Sequence, residues 1–342
     1  MKETIVSGMR PTGKLHLGHL HGALSNWVRL QTEYRCFFFV ADWHALTTSH
    51  DSPGVMQEYT EEMVVDWLSV GLDPERAVIF RQSDVKEHAE LHLLFSMITP
   101  SPWLIRNPTV KEQARNLGLI QSEAETEVIK LNYGLLGYPV LQAADILMYK
   151  AHKVPVGADQ VSHIELTREI ARRFNGFYGP IFPEPEALLT ETPKVPGIDG
   201  RRMSKSYGNA VLLSDPPEEI DQKLSRMMTD PRRVRRTDPG EPEDCPAFNL
   251  HRVYCTEEEI HYVTQGCRSA GIGCLECKKI MIRHVIEDLA PYRDKRAYWQ
   301  DHLDDVRDIL REGSKRARAI AAETMAEVRQ AMGLGWGEVD AS

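Results

Sequence analysis

Apolar positions fall into two rhythms along this chain, and the change from one to the other divides it. In the first half, short continuous apolar runs recur at Thr4 to Ser7, Cys36 to Asp42, Ala77 to Phe80 and Val154 to Gly157. Runs of this length without polar alternation suit strands buried on both faces of a parallel sheet. Between the second and third, Glu58 to Val70 repeats with helical period and sets Met63, Val64, Trp67 and Leu68 on one side. The alternation predicts an α/β fold, a doubly wound parallel sheet whose ligands bind beyond the carboxyl ends of the strands. From about Asp215 the strand signal fades. Ile220 to Leu224 reads as helix, and Lys278 to Gly333 is helix-like almost throughout, with breaks predicted near Pro291 and Gly313. Ala317 to Met332 is rich in Ala, Glu and Arg, which are good helix formers. The pattern therefore predicts two domains, a catalytic-type α/β unit over 1–207 and a helical unit over 208–342. Pro231 to Pro246, proline-rich and poor in apolar residues, is the expected exposed connection.

Composition narrows the class. The 342 residues include 42% hydrophobic ones, enough for a full core. No apolar run approaches the ~20 residues needed to span a membrane, and Met1 to Thr4 does not open a signal sequence, so a soluble, cytoplasmic protein with no membrane partner is expected. A net charge of −9 argues against general adhesion to nucleic acid. Local basic groups remain at Arg232, Arg233, Arg235 and Arg236, and at Lys315, Arg316 and Arg318, although a charge run is by itself no more than a solvated face.

Two separated stretches carry candidate chemistry. Directly after the first strand run, Pro11-Thr12-Gly13-Lys14-Leu15-His16-Leu17-Gly18-His19 leads through a tight turn into a helix. Glycine at such a crossing lets the backbone approach a ligand, and a helix start offers free N–H groups to phosphates. His16 and His19 add donors for charge that grows on a phosphate in the transition state. The second stretch, Arg202-Met203-Ser204-Lys205-Ser206, sits in a Gly- and Pro-rich region that reads as a mobile loop, suited to clamping a departing pyrophosphate. Each alone has a plain alternative, a polar surface turn and a solvated basic loop. Together and in this order they resemble the paired signatures of class I aminoacyl-tRNA synthetases. Arg202 stands where that family usually has lysine, which keeps the charge but makes it forked.

Between the two, Gly137 to Tyr149 sets Tyr138, Gln142 and Asp145 at helical spacing. An acid among Ala143, Ala144, Ile146 and Leu147 either pairs with a nearby Lys or Arg, lies on the helix surface as an ordinary acid, or, if buried, meets a ligand N–H. His44, just past the second strand run, lies at a carboxyl end, where a turn histidine and a ligand contact are equally open. Tyr138-Pro139 through Asp145-Ile146-Leu147, followed by Val154 to Gln160 and His163 to Arg168, is similar to the tryptophanyl-tRNA synthetase family. The similarity runs from Ile5 to about Ser206 and continues more weakly beyond.

That resemblance implies a Rossmann-like catalytic domain, a helical anticodon-binding domain and a homodimer. The implied activity is activation of L-tryptophan by ATP with Mg²⁺ and transfer to tRNA(Trp). It places the indole N–H on Asp145, and surrounds the amino acid with His44, Tyr138, Gln142 and Gln160. It places ATP on Arg10, Pro11, Thr12, Gly18 and His19, on the ribose turn Gly157-Ala158-Asp159, and on Val195 with Arg202 to Ser206. Many members have Glu at the position of Ala158, which bears only on a side-chain contact. His16, His19, Arg202 and Lys205 are the expected catalytic residues, acting by charge stabilisation and positioning with no protein nucleophile.

The cysteines are a separate signal. Of six, Cys36 belongs to a strand run, and Cys245, Cys267, Cys274 and Cys277 follow the spacing C-x21-C-x6-C-x2-C. In a reducing compartment these are metal ligands before they are disulfides, and four thiolates suit zinc or a [4Fe–4S] cluster. The pattern resembles a subset of the same family that carries a [4Fe–4S] cluster, with the first interval one residue shorter. Cys255 stands outside it. Two rivals remain at this level: a tyrosyl-tRNA synthetase, which shares fold and paired signatures, and a synthetase-like RNA-binding protein without catalysis. A small nucleotidyltransferase is disfavoured by the chain length and the helical half.

Overall fold

The computed structural model describes residues 2–335 apart from Ser52, Ala158, Asp159, Thr190, Glu191, Thr192 and Lys194. Strands β1 (Thr4–Met9), β2 (Arg35–Val40), β3 (Ala77–Arg81), β4 (Lys153–Val156) and β5 (Glu186–Leu189) form one sheet in the order β3-β2-β1-β4-β5, every neighbouring pair parallel. The first four fall on the predicted apolar runs. The fifth was not visible in the pattern because it is an edge strand: its Glu-Ala-Leu-Leu is only partly covered, and Leu189 is exposed.

Successive strand residues point to opposite faces, and the core divides accordingly. Ile5, Cys36, Phe38, Val40, Ala77 and Ile79 face one apolar cluster, in which the Trp27 ring stacks on Phe38 at 4.5 Å and meets Trp67 edge-on. Val6, Phe37, Phe39, Val78 and Phe80 face the other, filled by the helices Tyr133–Met148 and Val161–Tyr178. Burying each such large side chain contributes about 1.5–3 kcal/mol, which is why the runs fix the sheet so firmly.

The C-terminal half is helical as expected, but its breaks are elsewhere. Two long helices, Cys274–Asp301 and Leu303–Ala331, meet at His302, and both Pro291 and Gly313 lie inside them. At Pro291 the missing N–H costs one helical bond, and the helix is held instead by its packed face of Met281, Ile282, Val285 and Leu289, with Arg293 Nη2 donating to the Ile286 carbonyl. Gly313 is a crossing point: a Cβ there would stand 1.8 Å from the Ile79 carbonyl oxygen, so the absent side chain lets the last helix lie directly on β3. Its buried stripe of Val306, Leu310, Ala317, Ala321, Met325 and Val328 continues along the sheet edge. Both apolar clusters consequently contain residues from the two halves of the chain. The basic group nearby is already engaged, with Lys315 on Glu312, Arg316 Nη1 on the Pro74 carbonyl and Arg318 on that of Asp84. Among the described residues, no helix is long and apolar enough to cross a membrane.

Candidate functional site

The strand order reverses between β1 and β4, and the segments leaving the carboxyl ends of the strands gather at that crevice. After β1, Arg10 and Thr12 are exposed and Pro11 is buried. Gly13 holds φ +92°, a left-handed conformation that permits the tight turn. Leu17–His19 begins a helix that loosens to a π-helical turn over Leu20–Leu24 and continues as Ser25–Glu33. His16 caps this start: its Nδ1 accepts from Gly18 N at 3.1 Å, while His19 Nδ1 accepts from His16 N at 3.3 Å. Burial, reinforced by Lys205 and Arg202, depresses His16 to about 4. Burial, then His16 and those two cations, depresses His19 to about 3. Both rings are therefore neutral at pH 7, and with each Nδ1 accepting, the ring proton resides on Nε2. Each imidazole is left with one donor outside the turn.

The Arg202 to Ser206 stretch lies against this turn. Lys205 Nζ donates to the carbonyls of Thr12 at 2.5 Å and Lys14 at 2.9 Å, and burial lowers it to about 8. Residues 15–17 pair with residues 211–213 through Leu17 N to Val211 O and Leu213 N to Leu15 O, both 3.0 Å. Met203 is buried in the core, Val195 packs against it, and Arg202 is exposed. Ser204 N donates to Asn209 Oδ1 at 2.8 Å, and Asn209 Nδ2 donates in turn to Asp199 Oδ1 and the Arg202 carbonyl. Asn209 is the staple of the loop, and Gly197 is the residue that admits it, since a Cβ there would meet its amide at 2.3 Å. The side chain of Ser206 is outside the described part, as are Ala158 and Asp159. Gly157, after β4, accepts Gln160 N at 3.0 Å just before the Val161–Tyr178 helix.

The amino-acid candidates form a second constellation. Asp145 is 1% exposed, and its carboxylate meets donors from three other elements. His88 Nδ1 lies at 2.6 Å, His44 Nε2 at 2.7 Å and Gln82 Nε2 at 2.8 Å. Burial pushes this carboxyl up, but the bonds from His44 and His88 outweigh it and hold Asp145 at about 2. The sequence suggested a Lys, an Arg or a ligand as donor; the structure supplies two histidines and a glutamine. His88 is oriented from behind by Tyr149 OH at 2.7 Å, and Gln82 Oε1 is buried without a partner. Tyr138 OH meets His163 Nε2 at 2.9 Å and its ring stands 6.3 Å from that of His44, with Gln142 half-buried on the same helix. His88 and Gln82 escaped notice in the sequence because neither belongs to a motif.

Cys245, Cys267, Cys274 and Cys277 line one cavity together with Arg233, Phe248, His251 and Lys278. Cys274 and Cys277 come from the first turn of the Cys274–Asp301 helix, Cys267 from the last turn of Glu257–Arg268, and Cys245 from the residue before Pro246–Tyr254. Pro231 to Pro246 is thus less a connection than the cover of this cavity: Arg233 Nη1 lies 3.8 Å from Cys267 Sγ, and Gly240 N donates to the Cys267 carbonyl. Burial, followed by the neighbouring thiols, raises Cys277 to about 12. Cys255 is joined to the group through His251, whose Nδ1 lies 3.3 Å from Cys255 Sγ and whose Nε2 lies 3.3 Å from Cys277 Sγ. Cys255, Glu259 and His284 also have ligand atoms within 4.8 Å of one another. Glu259 is already taken up there by Arg283, His284 and the Thr256 N–H that it caps.

A parallel sheet that holds a histidine-bearing turn and a lysine loop at its switch point defines a nucleotide-activating α/β enzyme. Over residues 2–290 the chain matches the tRNA synthetases class I (W and Y), and it belongs to that family. It is 55% identical over 332 residues to the tryptophan–tRNA ligase of Thermotoga maritima, covering 96% of this chain and 99% of the relative. It is 48% identical to that of Aquifex aeolicus, with 96% and 99% covered. Among solved structures, tryptophanyl-tRNA synthetase from Campylobacter jejuni complexed with ADP and tryptophan superposes with a TM-score of 0.84 at 32% identity, covering 97% of this chain and 100% of that one.

Proposed function

We infer that this chain activates L-tryptophan with ATP and ligates it to tRNA(Trp). The tryptophan carboxylate attacks the α-phosphate, the bond to pyrophosphate breaks, and tryptophanyl-adenylate forms. A hydroxyl of the terminal ribose of the tRNA then takes the acyl group and AMP leaves. The observation that carries this reading is the contact of Lys205 with the Thr12 and Lys14 carbonyls beside His16 and His19, in front of the switch point. Neutral His16 and His19 donate from Nε2 to phosphate oxygens, and Lys205 and Arg202 meet the charge of the departing pyrophosphate. Mg²⁺ bound to the ATP phosphates supplies further charge neutralisation. Arg10, Pro11, Thr12, Gly18, Met203, Ser204, Ser206, Val195 and the Gly157-Ala158-Asp159 turn complete the ATP site in this reading.

Asp145 reads the indole N–H, with Tyr138, Gln142, Gln160 and His44 around the rest of tryptophan. The relatives' names favour tryptophan over tyrosine, and an acceptor enclosed by His44 and His88 is chemistry for an N–H. ATP–pyrophosphate exchange measured across the amino acids tests reaction and specificity together; exchange with tyrosine and none with tryptophan refutes the assignment.

We propose a [4Fe–4S] cluster at Cys245, Cys267, Cys274 and Cys277, with zinc as the alternative. The four thiols line one cavity, a donor set that suits either group, and the likeness of their spacing to that of cluster-bearing synthetases supports the iron–sulfur reading. Arg233 Nε is buried in the same place without a partner, a donor suited to an anionic cluster. When bound, the group cross-links three helices and the Arg233 segment. Iron and acid-labile sulfide assays on anaerobically purified protein test it; stoichiometric zinc without sulfide refutes the cluster. The division at 207/208 is one of roles, catalytic before and anticodon-binding after. Exposed Arg235 and Val234 beside the cysteine cavity are the tRNA-facing candidates. A homodimer is supported by the exposed apolar group Leu93, Met97, Ile129 and Tyr133, where Tyr133 packs near His92. A cytoplasmic setting accords with six unpaired cysteines.

A further inference from the structure

Asp66 sits in the apolar face of the Met56–Val70 helix, between Val65 and Trp67, and is 1% exposed. Its Oδ2 accepts from Leu15 N at 2.9 Å, and its Oδ1 accepts from Arg296 Nε at 2.8 Å. Arg296, itself 6% exposed, reaches it from the Cys274–Asp301 helix and also pairs with Glu62. Such a buried ion pair is a weak source of stability, because taking both charges out of water offsets most of their attraction. What this pair holds is specific. Leu15 immediately precedes His16, and its carbonyl is taken by Leu213 N at 3.0 Å. The backbone entering the histidine turn is therefore clamped by Asp66 on one side and by the segment after Lys205 on the other. The charge of Asp66 is also felt at Lys205, drawing it up against burial.

We propose that Asp66 and Arg296 are positioning residues for ATP activation: Arg296 keeps the Asp66 carboxylate in place, and Asp66 fixes the Leu15 N–H so that His16 and His19 face the phosphates. The helix that supplies Arg296 begins at the cysteine cavity, and at 1.5 Å per residue Cys277 and Arg296 are roughly 28 Å apart along one rod. The ATP turn is thereby tied to the long Cys274–Asp301 helix through the Arg296 guanidinium, besides its backbone pairing with residues 211–213. This inference rests on the reading of the turn as an ATP site.

The test uses the full chain and four variants, Arg296→Met, Arg296→Lys, Asp66→Leu and the double Asp66→Leu/Arg296→Met. Tryptophan-dependent ATP–pyrophosphate exchange and thermal unfolding are measured for each. Arg296→Met leaves a buried charge unpaired, so the melting temperature falls and the KM for ATP rises about tenfold, the scale of one hydrogen bond to a charged group. The KM for tryptophan stays within about twofold, and Arg296→Lys recovers part of the ATP effect. The double variant regains part of the melting temperature lost in Arg296→Met, because the Asp66 charge is no longer buried unpaired, yet keeps the raised KM for ATP, because the Leu15 N–H still lacks its acceptor. Asp66→Leu alone shows the same raised KM. A double variant whose KM for ATP returns to the wild-type value along with its stability overturns the proposal, as does an equal rise for both substrates. A wild-type chain that exchanges with no amino acid refutes the synthetase reading, and this inference with it.

Discussion

Asp145→Asn keeps the volume of the side chain and removes its charge, which separates the fold from the recognition of tryptophan. In the structure the carboxylate accepts from His88 Nδ1 at 2.6 Å, His44 Nε2 at 2.7 Å and Gln82 Nε2 at 2.8 and 3.0 Å. Asparagine offers one oxygen and an NH₂, so at least one histidine faces a donor. Hydrogen bonds to charged groups are worth about 1.5–3 kcal/mol each. His44 relieves part of the conflict by changing tautomer, whereas His88 is held by the Tyr149 hydroxyl. Folding stability should fall by about 2–3 kcal/mol, a lower melting temperature but a folded enzyme. In the proposed reading the indole N–H of tryptophan loses a charged, buried acceptor. About 3 kcal/mol of that interaction corresponds to roughly a hundredfold in kcat/KM. The assay is pyrophosphate exchange with tryptophan varied at saturating ATP, beside the same assay with ATP varied. The loss should appear in kcat/KM for tryptophan, with the KM for ATP unchanged. Wild-type kcat/KM for tryptophan in a folded Asp145→Asn variant, or an equal loss for both substrates, would refute the reasoning.

Lys205→Ala should slow adenylate formation by about a hundredfold, the cost of one charge-stabilising donor, read by single-turnover pyrophosphate release. Since burial lowers Lys205 to about 8, the wild-type KM for ATP should climb as pH rises past that value and its charge is lost, and a profile that is flat to pH 9 counts against it. His16 and His19 are held neutral, at about 4 and about 3, against 6.5 for a free imidazole. Below pH 6.5 the unfolded chain takes up these protons first, so stability falls with pH until those folded values are reached. The His16 share is about 3 kcal/mol. Urea unfolding at pH 7 and pH 4 should show a smaller difference for His16→Asn/His19→Asn than for wild type, and equal differences contradict the assignment. Gly313→Ala places a Cβ against the Ile79 carbonyl, a backbone atom that cannot turn aside. It should lower the melting temperature by several degrees, the effect of about 2–3 kcal/mol of overpacking, and an unchanged thermal midpoint would mean that the helix shifts freely.

The parts of the site that share a segment were legible in the sequence. His16 and His19 read as a phosphate-facing pair because they are three residues apart after a strand, and Tyr138, Gln142 and Asp145 because helical spacing puts them on one face. The four cysteines were legible by residue type. The acid at Asp66 was there to be noticed too, interrupting the apolar face of Met63, Val64, Trp67 and Leu68, but its partner is 230 residues away. His88, Gln82 and Asn209 carried no local signal, and Arg233 stood out only as one of a basic group, since each matters through what stands opposite it.

By itself, the sequence determined four of the five strands, the order of its motifs and the chemistry of the side chains. Continuous apolar runs can be buried in few ways, and histidine, lysine and thiol carry the same donor, acceptor and titratable atoms wherever they are placed. The tertiary structure decided which of these groups meet and in what protonation state. It set Lys205 on the Thr12 carbonyl, surrounded Asp145 with two histidines, and gathered the thiols under Arg233. It also let the last helix cross β3 at a glycine where a break was predicted. Those outcomes depend on distances between residues far apart in the chain, and burial changes the charge of each group only once the chain has closed around it.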